Sequence, residues 1–186
     1  MPTPRFVLIH GAYHGAWCWE RLIPLLTARG GEVAAPDLPG HGVDTTPSAD
    51  LSLALYAEHV AAVVRAQGGP VTLVGHSMAG AVIAEVAERV PDLISRLLYL
   101  TAYMPGDGES IVDWARRDGD TRAGARKVDY DGVPCLTVDR ETTWDAFYQD
   151  APEEDLDWVY PKLRPEPLAI FRQGLALSDA NFGRVP

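Results

Sequence analysis

The first hundred residues alternate short apolar runs with longer helical patterns, and this alternation limits the fold more than any other feature. The apolar runs lie at residues 6–9, 33–35, 71–74 and 97–100. Helical patterns fall between them, most clearly at 53–64 and 79–90. Short continuous apolar runs are typical of strands buried on both faces of a parallel sheet. Strands that alternate with helices form such sheets through right-handed crossovers. We therefore predict an α/β fold with a parallel sheet and helices on both faces.

Composition argues against several classes of protein. The 186 residues carry 16 basic and 26 acidic side chains, a formal net charge of −10 at pH 7. Nucleic-acid-binding proteins usually show a basic footprint, so we expect no nucleic-acid partner. No apolar run approaches the ~20 residues that span a bilayer, and the first residues lack a signal-peptide pattern. We therefore expect no membrane association and a cytoplasmic protein.

The cysteines give no sign of a disulfide framework or a metal site. Cys18 and Cys135 are the two cysteines of the chain, and no residues near them have metal-ligand spacing. We expect neither a metal nor a cofactor.

The texture of the sequence changes after the fourth apolar run. We predict a core at residues 1–104, a lid over the sheet at 105–176 and a return to the core at 177–186. The segment 133–138 fits a strand or one arm of a hairpin. A helical pattern follows at 144–171, broken by Pro152, Pro161, Pro165 and Pro167. The acidic run at 150–157 fits a solvated helix start better than a cation site.

The strongest local signal is Ser77, which lies between a predicted strand and a predicted helix. Gly75 precedes it by two residues, and Ala79 and Gly80 follow. A strand, a tight turn with serine at its apex and a helix make up a nucleophile elbow, in which small neighbours let strand and helix approach. An ordinary turn with serine capping the helix is the alternative interpretation. The helix that follows would place free N–H groups beside the serine oxygen.

A second signal follows the first strand, where residues 10–17 include Gly11 and Gly15. This position is the carboxyl edge at which open α/β sheets bind ligands. A flexible loop there can turn backbone N–H groups toward the serine and form an oxyanion hole. We predict the N–H groups of Ala12 and Met78 as its two donors. A glycine-rich loop without any catalytic role is the alternative.

Together these segments resemble the α/β-hydrolase superfamily. The likeness is carried by residues 6–17 (FVLIHGAYHGAW), 37–42 (DLPGHG), 75–80 (GHSMAG) and 97–105 (LLYLTAYMP), and it is looser in the predicted lid. The chain is similar in particular to the branch of methyl-ester-cleaving, salicylate-binding-type esterases and hydroxynitrile lyases. The resemblance implies that Ser77 attacks an ester carbonyl while Ala12 and Met78 hold the oxyanion. The lyases of this branch carry Thr where this chain has Gly11, so the resemblance implies an esterase.

One part of the implied machinery is missing from the sequence. The superfamily orders its catalytic residues Ser, Asp, His, and serine needs a base to take its proton. All the histidines precede Ser77: His10, His14, His41, His59 and His76. We expect none of them to be the base, and we expect Asp107 and Glu109 to be solvated loop charges.

We therefore hypothesise that the catalytic Asp and His lie outside this chain. The 186 residues would then be part of a longer hydrolase, or would be completed by a second chain. The C-terminal strands of the sheet would be missing, which leaves the fourth strand as an exposed apolar edge. Such an edge favours pairing, so a homodimer is also possible.

Several residues are predicted to line a substrate pocket, although aromatic residues at helical spacing also fit an ordinary core. They are Gly11, Trp17, His76, Tyr103 and Trp144. Three functions remain open from the sequence. The first is hydrolysis of small carboxylic esters, the second is ligand binding without catalysis, and the third is hydroxynitrile cleavage, which Gly11 disfavours.

Overall fold

A four-stranded parallel sheet forms the core in a computed structural model that describes residues 3–119 and 124–186. Its strands are β1 (Arg5–Ile9), β2 (Glu32–Ala34), β3 (Val71–His76) and β4 (Ile94–Leu100). They lie in the order β2-β1-β3-β4, and each neighbouring pair is parallel. The predicted strands are confirmed, but β3 continues to His76 and β4 already begins at Ile94. As a result, β3 ends directly at Ser77.

Helices cover both faces of this sheet, as the sequence predicts. They are α1 (Ile23–Thr27), α2 (Leu53–Arg65) and α3 (Ala79–Arg89). Successive side chains of a strand point to opposite faces. Ile9 and Leu73 therefore pack into the main core with α2 and α3, whereas Leu8 packs against Trp19 in a second cluster beside α1.

Residues 105–176, here called the lid segment, add a smaller antiparallel sheet. Its strands are β5 (Arg126–Tyr130), β6 (Val133–Thr137) and β7 (Glu166–Pro167), in that order. The helices described in this segment are α4 (Ile111–Asp118), α5 (Arg140–Thr143), α6 (Glu153–Val159) and α7 (Leu168–Arg172), with a π-helical turn at Trp144–Tyr148.

Short 3₁₀ helices lie along the whole described chain, at Ala16–Trp19, Ser48–Asp50, Pro91–Leu93, Tyr160–Lys162 and Phe182–Arg184. Within the described ranges no helix is long and apolar enough to cross a membrane.

The prolines divide the lid segment where the sequence predicts interruptions. Pro152 precedes α6 as its N-cap, and Pro167 closes β7 immediately before α7. The segment predicted as a strand or hairpin arm at 133–138 forms β6, which pairs with β5. The prediction of a broken helical stretch at 144–171 was incomplete, because β7 lies within it and pairs with β6.

A buried charged cluster ties the lid segment to the core. Glu166 and His41 are fully buried, and His41 Nε2 lies 3.0 Å from Glu166 Oε2, as a close charge pair rather than a linear hydrogen bond. The hydroxyl of Tyr56 donates to Glu166 Oε1 at 2.8 Å. Burial, the largest single effect, would lower the pKa of His41, but the charge and close contact of Glu166, the Pro39 carbonyl and the charge of Asp37 together raise that pKa above its ordinary value. β7 is therefore held against the loop after β2 by a buried ion pair and against α2 by the Tyr56 hydrogen bond.

A second ion pair connects α6 to the residues before α1. Both guanidinium nitrogens of Arg21 donate to the carboxylate of Asp155, one of them at 2.8 Å. Asp155 is buried, so the prediction that the whole acidic run is solvated was wrong for this residue. Its pKa is lowered by the hydrogen bonds from Arg21. This two-pronged geometry gives Arg21–Asp155 more directional hold than an ordinary surface pair.

The last ten residues lie against α3, where one carboxylate holds them. Glu88 accepts hydrogen bonds from the backbone and hydroxyl of Ser178, the amide of Asn181 and the backbone of Phe182, at 2.8–3.2 Å. Burial alone would raise the pKa of Glu88, but these donors stabilise its charged form and lower the pKa to about 2. Glu88 is therefore the main anchor of this segment.

The segment then reaches β4, the edge strand of the parallel sheet. The backbone N–H of Leu97 donates to the carbonyl of Pro186 at 2.7 Å. Leu98 and Leu100 are 39% and 40% exposed. The edge strand thus presents apolar side chains to solvent and already accepts one further segment beside it.

We expect Glu88→Gln to lower the melting temperature by roughly 3–6 °C at pH 7, because a neutral amide has one acceptor oxygen where the carboxylate has two. The lowered pKa sets the pH dependence. The contribution of Glu88 is complete above the ordinary value of 4.5 and is lost as the pH falls toward 2. The difference between variant and wild type should therefore shrink over that interval, as measured by thermal unfolding.

Glu58→Gln is the matched control, because Glu58 is exposed and pairs with Arg65 on the surface of α2. Its melting temperature should stay within about 1 °C of wild type. If Glu88→Gln unfolds in the same way as this control, the anchoring role is wrong.

Candidate active site

Ser77 lies at the turn between β3 and α3 in a conformation that residues with a side chain rarely adopt. Its φ is +54°, in the left-handed region, which costs such a residue of order 1–2 kcal/mol. The carbonyl of Ser77 accepts hydrogen bonds from the N–H groups of Gly80 and Tyr103, both at 3.1 Å. The surrounding backbone therefore holds the strained turn that the sequence predicts.

Two glycines allow this turn to pack. A Cβ on Gly75 would lie 2.7 Å from the carbonyl oxygen of Ala79, and one on Gly80 would lie 1.9 Å from that of Tyr103. A nucleophile elbow requires small residues on both sides of the serine, and these glycines meet that requirement. The structure adds the reason for Gly80, which is the close passage of the chain after β4.

Gly11 lies directly against Ser77. A Cβ built on Gly11 would be 3.0 Å from Ser77 Cβ and 3.1 Å from His76 Nδ1. The loop after β1 and the turn after β3 therefore meet, as expected for neighbouring parallel strands. Ala12 and Met78, the predicted oxyanion donors, follow Gly11 and Ser77 and are both buried. The structure thus brings together five residues that the sequence assigns to the site: Gly11, Ala12, His76, Ser77 and Met78.

His10 fixes the peptide group between Gly11 and Ala12. Its Nε2 accepts from the backbone N–H of Leu38 at 3.0 Å, so Nδ1 carries the proton and donates to the carbonyl of Gly11 at 2.9 Å. Complete burial keeps the pKa of His10 well below its ordinary value. In a trans peptide the N–H points opposite to the carbonyl, so this hydrogen bond sets the direction of the Ala12 N–H.

The other histidines are engaged elsewhere. His14 Nδ1 contacts the carbonyl of Ala12, and His41 pairs with Glu166. His59 lies in α2, and the ring of His76 packs edge-on against Trp19. In the part of the chain that the structure describes, no histidine is hydrogen-bonded to the Ser77 hydroxyl.

The two carboxylates after β4 lie in a loop, where Asp107 is exposed and Glu109 is half-buried, in agreement with the prediction of solvated loop charges, and both also have structural partners. Asp107 accepts from the backbone N–H of Leu177 at 2.8 Å. Glu109 accepts from the N–H of Gly106 at 2.8 Å and pairs with Arg117. Both carboxylates therefore stabilise the start of the lid segment. Glu109 contacts residues of that segment, and Asp107 connects it to Leu177.

The predicted aromatic pocket residues divide between two regions. Tyr103 packs edge-on against Trp114, with ring centroids 5.4 Å apart, and its backbone contacts Ser77. Trp17 lies elsewhere, edge-on to Trp158 of the lid segment, with ring centroids 5.5 Å apart. The Lys162 ammonium contacts both rings. Trp17 and Lys162 belong to a groove of about 620 Å³ whose walls come from the end of β2 and the lid segment.

Trp144 begins the π-helical turn, from which Phe147 and Tyr148 reach the loop after β1. Phe147 lies edge-on to His14, with ring centroids 5.8 Å apart, and the Tyr148 hydroxyl is 2.9 Å from His14 Nε2. The sequence did not predict Tyr148 as a partner of this loop, or Glu166 as a partner of His41 and Tyr56. No local motif marks them, because each partner lies more than a hundred residues away.

A parallel α/β core with a strained serine between a strand and a helix, facing a glycine loop, defines the class to which this protein belongs. The sequence profile of the alpha/beta hydrolase family matches residues 6–186. The chain is a member of that family.

Named relatives place it more closely. It is 44% identical to Methylesterase 2 of Arabidopsis thaliana, over 98% of this chain and 74% of that protein. It spans about half the length of the chloroplastic methylesterases of the same plant that it also matches. Its structure is similar to tomato methylketone synthase I in complex with beta-ketoheptanoate, with a TM-score of 0.87 and 25% identity, over the whole chain and 77% of that structure. Polyneuridine aldehyde esterase is similar at a TM-score of 0.86 and 25% identity, over 98% and 77%.

We expect Gly80→Ala to lower the free energy of unfolding by about 3 kcal/mol or more, because the new methyl group collides with backbone rather than with a movable side chain. Gly106→Ala is the control, since the nearest atom to its Cβ is the end of Glu109, 3.5 Å away. Urea unfolding measures both variants. Equal stability of the two would show that the passage of Tyr103 does not constrain the turn.

We expect Glu166→Gln to lower the free energy of unfolding at pH 6 by about 3–5 kcal/mol, because it leaves His41 without its buried counter-charge. A raised histidine pKa contributes stability below the ordinary value of 6.5, and the contribution is lost as the pH rises through the folded value. The loss caused by the variant should therefore be smaller at pH 9. Glu154→Gln, at an exposed position of α6, should be neutral at both pH values. A loss that is independent of pH would argue against a charged His41.

Proposed function

We propose that this protein hydrolyses small carboxylic esters, methyl esters among them, with Ser77 as the nucleophile. The observation that carries the proposal is the strained Ser77 turn at the carboxyl end of β3, where φ is +54° and Gly11 brings the loop after β1 against the serine. Backbone strain of this kind persists where a fold positions a reactive group. The names of the methylesterase relatives support the choice of ester.

The N–H groups of Ala12 and Met78 serve as the oxyanion hole in this proposal. When Ser77 Oγ attacks, the carbonyl oxygen becomes negatively charged and needs donors that are already oriented. Met78 N–H lies at the N-terminus of α3, whose dipole favours negative charge. Ala12 N–H belongs to the peptide group that His10 holds.

The proton transfers require groups outside these 186 residues. A base takes the proton of Ser77 as Oγ bonds to the ester carbon, and the tetrahedral intermediate then expels the alcohol, which receives that proton. Water, deprotonated by the same base, attacks the acyl-enzyme and releases the carboxylic acid. The base is a histidine oriented by an aspartate in the order that the family uses.

We further propose that these two residues arrive beside β4. The support is the exposed edge of β4 and the hydrogen bond from Leu97 to Pro186, which runs a segment along that edge. The missing residues come from a continuation of the same polypeptide or from a different second chain. Mass spectrometry of the active species distinguishes these sources.

Two other functions make different predictions. A ligand-binding protein without catalysis would bind esters and leave Ser77 unreactive. A hydroxynitrile lyase would release cyanide from mandelonitrile. Gly11 disfavours the lyase, because the lyases that this chain resembles carry Thr at this position.

We expect a fluorophosphonate probe to label the full-length protein at Ser77, since an activated serine attacks phosphorus and retains the phosphonyl group. Ser77→Ala should abolish labelling and ester hydrolysis, with a loss of about 10³-fold or more. Peptide mass spectrometry identifies the labelled residue.

Ser95→Ala is the matched control, because Ser95 donates to Val71 at the opposite end of the sheet and should not affect labelling. An unlabelled wild-type protein that still binds esters would favour the binding function instead. Labelling at a serine other than Ser77 would refute the proposed nucleophile.

A further inference from the structure

Three consecutive carbonyl groups of the loop after β1 are each held by a donor. His10 Nδ1 donates to the Gly11 carbonyl at 2.9 Å, and His14 Nδ1 donates to the Ala12 carbonyl at 2.8 Å. The backbone N–H of Arg164 donates to the Tyr13 carbonyl at 2.9 Å. Tyr13 itself has a φ of +67°, a strained value for a residue with a side chain. The loop conformation therefore depends on these three donors.

Two of the three donors depend on the lid segment. Arg164 belongs to that segment, and His14 is held from it by Tyr148, whose hydroxyl lies 2.9 Å from His14 Nε2. A neutral imidazole has one N–H and one acceptor nitrogen. The Ala12 carbonyl can only accept, so the proton of His14 lies on Nδ1, and Nε2 then accepts from the Tyr148 hydroxyl. Burial lowers the pKa of His14 to about 4, which keeps the ring neutral at pH 7.

We propose that Tyr148 and His14 are positioning residues, through which the lid segment fixes the orientation of the Ala12 peptide groups and hence of the oxyanion hole. The proposal rests on the proposed function. Tyr148 holds the ring of His14 in place, His14 holds the Ala12 carbonyl, and His10 holds the preceding carbonyl. The two peptide groups that flank the Ala12 Cα are then fixed from both sides.

Simple attachment of the lid segment does not explain this arrangement. Attachment is already provided by the buried His41–Glu166 pair and by Arg21–Asp155. The Tyr148 hydroxyl adds little to that hold, since a single hydrogen bond contributes about 1 kcal/mol. Its effect is concentrated on one ring nitrogen, so its removal should change chemistry more than stability.

The expected kinetic effect is on the chemical step. Deleting an oxyanion donor typically costs 10²–10³-fold in kcat. A donor that is present but less firmly oriented should cost less, about 10-fold. Before attack the substrate carbonyl is uncharged and gains little binding energy from these donors. KM should therefore change by about 2-fold or less.

The test compares three variants in the full-length protein. Tyr148→Phe removes the hydroxyl and keeps the ring. His14→Asn places an amide nitrogen near the position of Nδ1, so it can donate to Ala12 without help from Tyr148. His14→Gln places its amide near Nε2, so it can contact Tyr148 but not Ala12. We expect Tyr148→Phe and His14→Gln to lower kcat about 10-fold, and His14→Asn to keep it within about 3-fold.

A double-mutant cycle sharpens the comparison. Adding Tyr148→Phe to His14→Asn should cause no further loss, because the shorter amide has no group at the Nε2 position that Tyr148 contacts. A trifluoromethyl ketone forms a hemiketal adduct with serine, and this adduct carries the oxyanion. The affinity of the ketone should fall in parallel with kcat. Arg21→Gln is the control that weakens lid attachment away from the loop, and it should leave both quantities unchanged.

A readout that needs no activity separates this proposal from the proposed function. NMR of His14 should show a slowly exchanging Nδ1 proton in the wild type and faster exchange of that proton in Tyr148→Phe, because a ring that is held less firmly opens its hydrogen bond to the Ala12 carbonyl more often. An unchanged exchange rate in that variant overturns the positioning role, whether or not the protein is an esterase. A faster exchange with unchanged kcat in a labelled, active enzyme also overturns it. A wild type that no probe labels refutes the proposed function, while the exchange rate still tests the link between Tyr148 and His14.

Discussion

The packing of α3 against the chain that leaves β4 is the constraint on which the rest of the site depends. Gly80 lies so close to the Tyr103 carbonyl that no side chain fits between them, and both backbones are hydrogen-bonded to Ser77. This contact holds the serine in a conformation that it would otherwise leave. The strain is thus maintained by burial of the sheet, whose apolar strands supply far more stabilisation than one unfavourable φ value costs.

The lid segment contributes order to the site through polar contacts of high specificity. Glu166 contacts His41 and Asp155 contacts Arg21, so each carboxylate of the lid segment meets a cation of the core. Because both carboxylates are buried, each must stay close to its partner. Tyr148 uses the order that results, because its hydroxyl must lie within hydrogen-bonding distance of one nitrogen of His14. A lid attached only by apolar contacts would not fix a hydroxyl so closely.

The sequence contains enough information for the core and for the serine turn, since both depend on local patterns. Apolar runs specify buried strands, and Gly75 and Gly80 mark where backbones must approach. The lid is different. Tyr148 and Glu166 act on loops that precede them by more than a hundred residues, and nothing in their neighbourhood distinguishes them from other polar positions. The prolines show where its helices break, but they do not show which side chains face the core.

One consequence follows from the order of the strands. The loop that carries Ala12 and the turn that carries Ser77 leave β1 and β3, which are direct neighbours in the sheet. Their separation is set by the ladder of backbone hydrogen bonds, which is the same for every apolar sequence that can occupy the two strands. Apolar substitutions within the strands should therefore leave the spacing of the two loops unchanged. The spacing is sensitive instead to the few small residues at the ends of the strands, where a single methyl group would change the distance.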